Sequence, residues 1–276
     1  MNGSLYVVGT PIGNLDDFSP RAIQALQQVD FIAAEDTRVT RKLCSRFDIH
    51  TPLISYHEHN RQQSGSRIID RLLTGESAAL VTDAGMPAIS DPGEDLVALC
   101  REHGVPVVAV PGPSAVVTAL AVSGLSCGRF AFEGFLSMNR KSRREHLEEI
   151  RCERRTIVFY EAPHKLRSTL QDLLEVLGDR RISLVRELTK IHEETLLTTL
   201  SKAVEYYENT PPKGEFVLVI EGASQSTQDM DRLTLDQAVE LARSLIDEGQ
   251  SASFAAKEAA ARTGHKKGEI YKLLFE

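Results

Sequence analysis

The residues best suited to chemistry lie in three short loops rich in glycine and proline. They are VVGTPIGNLDD at 7–17, VTDAGMPAISDPG at 81–93 and PGPSA at 111–115. Each joins an apolar run to a helix-like segment. Gly9, Gly13, Gly85 and Gly93 let backbone approach a ligand or take positive φ, and the prolines stiffen the turns. Together the loops offer a cleft of backbone and small groups, with Thr10, Pro11, Asp83, Gly85, Met86, Ile89, Ser114 and Ala115 in it. Such a surface suits a small molecule with a flat ring, hydroxyls and mixed charge. The same loops also suit plain strand-to-helix turns, so these residues alone do not name a ligand. The motifs GxGxxG, GxxxxGK[ST], HExxH and GxSxG are absent. His57-Glu58-His59 and His192-Glu193-Glu194 lack the helical spacing of zinc ligands, so no metal site is expected.

The segments around these loops read as an α/β chain. Apolar runs at 5–8, 31–34, 53–55, 79–82 and 107–110 alternate with helix-periodic stretches at 20–29, 37–46, 60–73, 94–103 and 113–122. The runs lack clean apolar–polar alternation, which predicts parallel strands buried on both faces. Their carboxyl ends carry the loops, where ligands bind in open α/β sheets. A second block predicts strands at 130–135, 156–160, 182–186 and 216–220, and helices at 141–152, 164–177 and 201–207. The segment 195–200 leads into the last helix. Two adjacent late strands predict a mixed sheet. The expected domains are 1–125, 126–222 and a linker with helical tail over 223–276. The tail has helices at 235–248, 253–262 and 267–275, the last two spaced like a helix–turn–helix.

Net charge is −7 and apolar content 42%. An acidic chain is not a wholly basic nucleic-acid binder, but local basic patches remain open. One is 138–155, where Arg140, Lys141, Arg143, Arg144, Arg151, Arg154 and Arg155 outnumber four glutamates. Another is the tail, with Lys266 and Lys267. No run of about 18 apolar residues predicts a membrane span. Cys44, Cys100, Cys127 and Cys152 form no CxxC pair, which predicts reduced thiols and a cytoplasmic protein.

Several stretches resemble one family: LYVVGTPIGNLDD, IAAEDTR at 32–38, SYHEHN at 55–60, VTDAGMPAISDPG, VPGPSA, FEGFL at 132–136, FYEAPHKL at 159–166, RELTK at 186–190, GEFVLVIEG at 214–222 and the terminal EIYKLL. The chain resembles the tetrapyrrole-methylase superfamily of S-adenosylmethionine enzymes over nearly its full length. AEDTR and RELTK place it nearest the branch that methylates ribose in small-subunit ribosomal RNA. Ser137 and Met86 depart from the residues common in that branch.

The resemblance implies two α/β domains with S-adenosylmethionine in the cleft between them. Pro11, Asp83, Gly85, Met86, Ile89, Ser114 and Ala115 are then expected to bind it, with Tyr160 and Phe216 from the second domain. It further implies a homodimer, and 2′-O-methylation of a cytidine in the decoding region. Arg140, Lys141, Arg143, Arg144, Lys266 and Lys267 become candidate RNA contacts. Methyl transfer from a sulfonium needs placement more than a strong catalyst, though a base or a nearby cation helps the hydroxyl proton leave. Asp36, Arg38, Arg186, Glu187 and Lys190 are the catalytic candidates, with Glu35 and His57 at neighbouring strand ends. Asp36 equally suits a helix cap at Thr37, and Arg186, Glu187 and Lys190 equally suit a structural ion-pair network. Two other functions fit parts of the chain. A methylase of this fold acting on a small molecule or protein side chain needs neither basic segment. A noncatalytic RNA-binding assembly factor needs no cofactor loops.

Overall fold

The computed structural model describes residues 2–224, 235–247, 249–263 and 265–275. Five short apolar runs form a fully parallel sheet: β1 (Leu5–Val8), β2 (Phe31–Ala34), β3 (Leu53–Ser55), β4 (Ala78–Val81) and β5 (Val107–Val110). Their order is β3-β2-β4-β1-β5. Helices α1 (Pro20–Gln28) and α2 (Thr37–Arg46) cover one face, while α3 (Arg61–Leu73) and α4 (Gly93–Glu102) cover the other. Alternation of side chains along a strand explains the two cores. Leu5, Phe31, Ala33, Ala78 and Leu80 pack with Ile68, Leu72 and Leu96. Val8, Ile32, Ala34, Ala79 and Val81 pack with Ala22, Leu26 and Cys44. Every residue of β2 and β4 is buried, as strands covered on both faces require.

The second sheet has β6 (Phe130–Phe135), β7 (Thr156–Glu161), β8 (Arg181–Arg186), β9 (Glu194–Thr199) and β10 (Phe216–Ile220) in the order β6-β7-β10-β8-β9. Only β6 and β7 run parallel, so the sheet is mixed as expected. Three helices belong to this half: α6 (Arg140–Glu149), α7 (Leu166–Leu177) and α8 (Leu200–Asn209). The segment at 195–200 is an edge strand rather than a plain connection. Its neighbour β8 supplies the ladder that its own polar pattern, ETLLTT, does not advertise. Helix α6 stops at Glu149, three residues short of expectation. α5 (Ala115–Val122), which the sequence groups with the first sheet, packs Val116, Ala119 and Leu120 against Val158, Val185, Val217 and Val219 of the second.

Both sheets lie in one compact unit, Met1–Glu149 with Arg155–Glu221; Ile150–Arg154 and Gly222–Glu276 form another. In that second unit, α9 (Leu235–Asp247), α10 (Ala252–Thr263) and α11 (Lys267–Leu273) enclose a small core. Ala238, Ala242, Ala255, Ala256 and Ala259 bring the helices close around Val239 and Ile270. Most of the expected linker at 222–231 and the centre of the turn, Gly264, lie outside the described residues. Among the described residues no helix is long and apolar enough to cross a membrane.

Candidate functional site

The strand order makes one crevice. β1 and β4 are neighbours, but the chain leaves β1 for α1 on one face and leaves β4 for α4 on the other. Their loops therefore diverge at the carboxyl edge, the position where open α/β sheets bind ligands. Backbone bonds fix the gap: Thr10 N donates to Gly85 O at 2.9 Å and Gly85 N to Thr10 O at 3.2 Å. Beside it the backbones of the first and third loops nearly touch. A Cβ on Gly9 would lie 2.7 Å from the Gly112 Cα and 2.8 Å from the Met86 sulfur.

A cleft of about 510 Å³ opens here. The first sheet contributes Asp83, Gly85, Met86, Ile89, Ser114 and Ala115, and the second contributes Tyr160 and Phe216. All eight are residues the sequence nominated. Pro11 is the exception; its neighbour Ile12 lines the cleft instead. Ile12, Met86, Leu188, Phe216 and Val217 make an apolar surface, and among the described residues the lining adds five carboxylates and no Lys, Arg or His.

Three of those carboxylates are satisfied by the protein. Asp91 accepts from the amides of Ala88, Ile89 and Gly93 at 3.0, 3.2 and 2.8 Å. Glu161 accepts from the Thr169 hydroxyl and Ala162 N at 2.5 and 2.8 Å, and Glu215 from Lys190 at 3.0 Å. The remaining two, Glu35 and Asp83, are neighbours, and neither is in an ion pair among the described residues. Glu35 accepts from the Thr82 hydroxyl at 2.5 Å, and Asp83 accepts from Asp36 N at 3.1 Å. Burial raises the Asp83 pKa, and the Glu35 charge raises it further. The cleft thus favours a ligand with positive charge, hydroxyls and a flat ring, and disfavours a phosphate.

Glu35 belongs to that lining, whereas the five nominated catalytic residues, Asp36, Arg38, Arg186, Glu187 and Lys190, stand outside it. Asp36 caps α2 by accepting from Arg38 N at 2.8 Å and binds the Arg38 guanidinium at 2.7 Å. Those hydrogen bonds hold its carboxyl down at about 2, and leave the Arg38 side chain largely exposed. RELTK forms a different cluster. Lys190 bridges Glu187 and Glu215 at 2.9 and 3.0 Å, and Arg186 pairs with Glu194 at 2.9 Å. Glu187 also accepts from Glu215 N at 3.0 Å. Hydrogen bonding from Lys190 is the main reason its pKa falls. The loop seats against the first glycine–proline loop, where a Cβ on Gly13 would lie 2.6 Å from Lys190 Cγ.

Two loops at the cleft hold backbone strain. Ala88 and Ser90 have φ of 65° and 63°, and Glu187 and Thr189 have 51° and 66°. Such conformations cost about 1–3 kcal/mol each and persist only where neighbours enforce them. Asp91 enforces the first pair. Glu193, accepting from Thr189 N at 2.6 Å, enforces the second. Asp91, Leu188 and Glu215 were not singled out from the sequence. Only Asp91 carried a signal, an Asx–Pro pair near the end of the second glycine–proline loop.

The basic residues of 138–155 are mostly engaged. Arg143 is buried and binds the buried Asp172 at 2.6 Å, which overturns its expected role as an RNA contact. A charge taken out of water survives only with a partner. Arg140 reaches the same aspartate at 3.7 Å, Arg144 binds Glu175 at 2.6 Å, and exposed Lys141 sits 3.9 Å from Glu145. In the helical tail, Lys266 lies 3.9 Å from Glu269, and Lys267 donates to the Ser253 hydroxyl at 2.9 Å.

Comparisons with known proteins agree with this architecture. Residues 4–204 match the family Tetrapyrrole (Corrin/Porphyrin) Methylases. The ribosomal RNA small subunit methyltransferase I of Synechocystis sp. is 46% identical over 275 residues, 99% of this chain and 98% of that protein. A uroporphyrin-III C-methyltransferase from Thermus thermophilus, solved with S-adenosyl homocysteine, is 19% identical with a TM-score of 0.57, over 78% of this chain and 97% of that one. A conserved hypothetical protein from Aeropyrum pernix is 16% identical with a TM-score of 0.65, over 99% and 96%. The two solved structures share the fold. The chain belongs to the tetrapyrrole (corrin/porphyrin) methylase family, within its ribosomal RNA small subunit methyltransferase I group.

Proposed function

We propose that this chain transfers a methyl group from S-adenosylmethionine to the ribose 2′-oxygen of a cytidine in the decoding region of small-subunit ribosomal RNA. It does so as a cytoplasmic homodimer. The acidic cleft at the β1–β4 crevice, with no basic side chain among its described lining residues, carries the reading. The residues present fit the cofactor. Apolar side chains from both sheets suit an adenine ring, and the neighbouring Glu35 and Asp83 carboxylates suit the cofactor's hydroxyls and positive charge. The name of the 46% identical relative supports a ribosomal RNA substrate.

When bound, S-adenosylmethionine supplies a methyl group already activated on a positively charged sulfur. The protein's task is then to place the ribose oxygen in line and receive its proton. Asp36 is a weak base at about 2, and Glu187 is tied to Lys190. Both serve better as holders of Arg38 and Lys190, whose charges suit phosphates at the rim. Asp83 lines the cleft and has raised proton affinity, which suits it to accept the hydroxyl proton. The acidic lining keeps phosphates out, so the RNA enters ribose first.

Labelled S-adenosylmethionine with small subunits lacking the modification tests the reading. The label should survive alkaline hydrolysis inside a cytidine-containing dinucleotide, since a 2′-methyl blocks cleavage. Label on a base, or none, would refute it. The pH profile tests the proton acceptor. A base must be deprotonated, so single-turnover transfer rises with pH through the Asp83 pKa, which lies above an ordinary aspartate. Asp83→Asn should remove that acid limb and slow transfer by about a hundredfold. An unchanged limb assigns the proton elsewhere.

The rim cations give a paired measurement. Arg38→Ala, Arg186→Ala and Lys190→Ala should each slow transfer roughly tenfold, about 1.4 kcal/mol of barrier, with melting nearly unchanged. Early melting, with activity lost only in proportion to folded protein, would make them scaffold.

A further inference from the structure

The last helix presents two faces of different character. Inward, Ile270 is fully buried, and Leu273 and Leu274 pack on the same alanine-rich core. Outward, Lys267 and Tyr271 stand four apart on one stripe of α11, and Phe275, two residues past the end of the helix, extends that stripe through its ring contact with Tyr271. Tyr271 and Phe275 are 41% and 69% exposed, and their ring centroids lie 5.2 Å apart with planes at 56°. The helix is seated without them. The bond from Lys267 to Ser253 brings the start of α11 beside the start of α10, where Phe254 is also exposed.

Charge selects the occupant. Residues 252–276 hold five basic side chains against three acidic ones, in a chain whose net charge is −7. Lys266, Lys267 and Lys272 flank the aromatic pair in sequence. A second copy of this face would set lysine against lysine, since a two-fold contact matches a patch with itself. A polymer with flat rings and regular negative charge fits both features at once. Duplex RNA hides its bases in the stack, whereas an unpaired strand offers them to aromatic side chains.

We propose that Lys267 and Tyr271 of α11, with Phe275 just beyond its end, form a stacking platform for unpaired bases of the RNA substrate. This rests on the ribosomal RNA reading above and adds how the strand is held. Bases stack on Tyr271 and Phe275, while Lys267 meets a phosphate. Stacking is tolerant of base identity, so the face grips a single strand without choosing the methylated nucleotide.

The chain contains no tryptophan, so Tyr271→Trp installs a lone reporter in the full-length protein. It is titrated with a single-stranded 12-mer oligoribonucleotide, an abasic phosphodiester chain of equal length, and a blunt RNA duplex. Indole emission should fall with the single strand only, and the abasic chain should bind about tenfold more weakly. Phe275→Ala should weaken single-strand binding about tenfold without changing its salt dependence. Lys267→Ala should make the logarithmic salt slope shallower by about 0.7. Equal affinity for the abasic and native strands would overturn the platform, whatever the methyl-transfer assay gives. So would sedimentation in which Tyr271→Ala dissociates a larger assembly, because the face would then belong to a protein contact. Absence of methyl transfer together with base-dependent quenching would instead refute the reading of the cleft and leave the platform standing.

Discussion

Gly85→Arg should abolish S-adenosylmethionine binding, with calorimetric affinity falling at least about a hundredfold, roughly 2.7 kcal/mol. Gly85 lines the cleft and forms the backbone bridge to Thr10 that spans the crevice. Its φ of +88° is a conformation that L side chains rarely adopt. A Cβ there would meet Ile12 Cγ2 at 3.4 Å and Pro113 O at 3.5 Å, which is ordinary contact rather than collision. Gly85→Ala therefore isolates the backbone cost, about 1 kcal/mol of stability with a folded protein. Arginine adds a long side chain in a cleft of about 510 Å³. Its charge would also neutralise the carboxylates that suit a cationic ligand. The comparison of the two variants separates lost folding from lost binding. A folded Gly85→Arg protein with unchanged affinity would move the cofactor away from the crevice.

Arg143→Ala should be the most damaging single change outside the cleft, lowering stability by about 3–5 kcal/mol. The guanidinium binds Asp172 through Nε at 2.7 Å and a terminal nitrogen at 2.6 Å, and donates to the Ser137 carbonyl at 3.2 Å. Both charged side chains are at most 8% exposed. Removing the arginine leaves the carboxylate buried, with only the more distant Arg140 guanidinium, at 3.7 Å, paired to it among the described residues. It also frees the loop after β6, whose Phe135 lines the cleft. The melting temperature should fall by roughly 10 °C or more for a unit of this size. Replacing both partners with apolar residues, Arg143→Met with Asp172→Leu, should recover most of the loss, because no charge is then stranded. A normal melting temperature with weakened RNA binding would restore Arg143 to the RNA surface.

These two residues also show where sequence reading succeeds and where it stops. Gly85 was legible because local chemistry demands it. A strand end, a glycine needing positive φ and a following proline are all short-range signals. The same locality made the parallel strands and most helices readable to within a few residues. It also led to eight of the nine nominated residues that line the cleft, since each lies at an end of a strand or in the loop that follows one. Arg143 was misread because its sequence neighbours are basic and polar, RKSRREHLEE. That pattern looks like a solvated or RNA-facing helix. Its partner lies 29 positions away on α7, and no local rule connects them.

The division has a physical basis. Backbone conformation, strand burial and turn chemistry are set by a residue and its near neighbours, so the chain by itself determined two α/β sheets, a glycine–proline cleft and a helical tail. Charge pairing is set by which side chains meet after the helices have packed. Tertiary structure alone decided that Arg143 is a buried clamp and that Lys190 reaches Glu215 as well as Glu187. It alone brought Glu35 and Asp83 together with no ion pair to either among the described residues. A carboxylate's role depends on the dielectric and the charges a few ångströms away, and those neighbours arrive from distant parts of the chain.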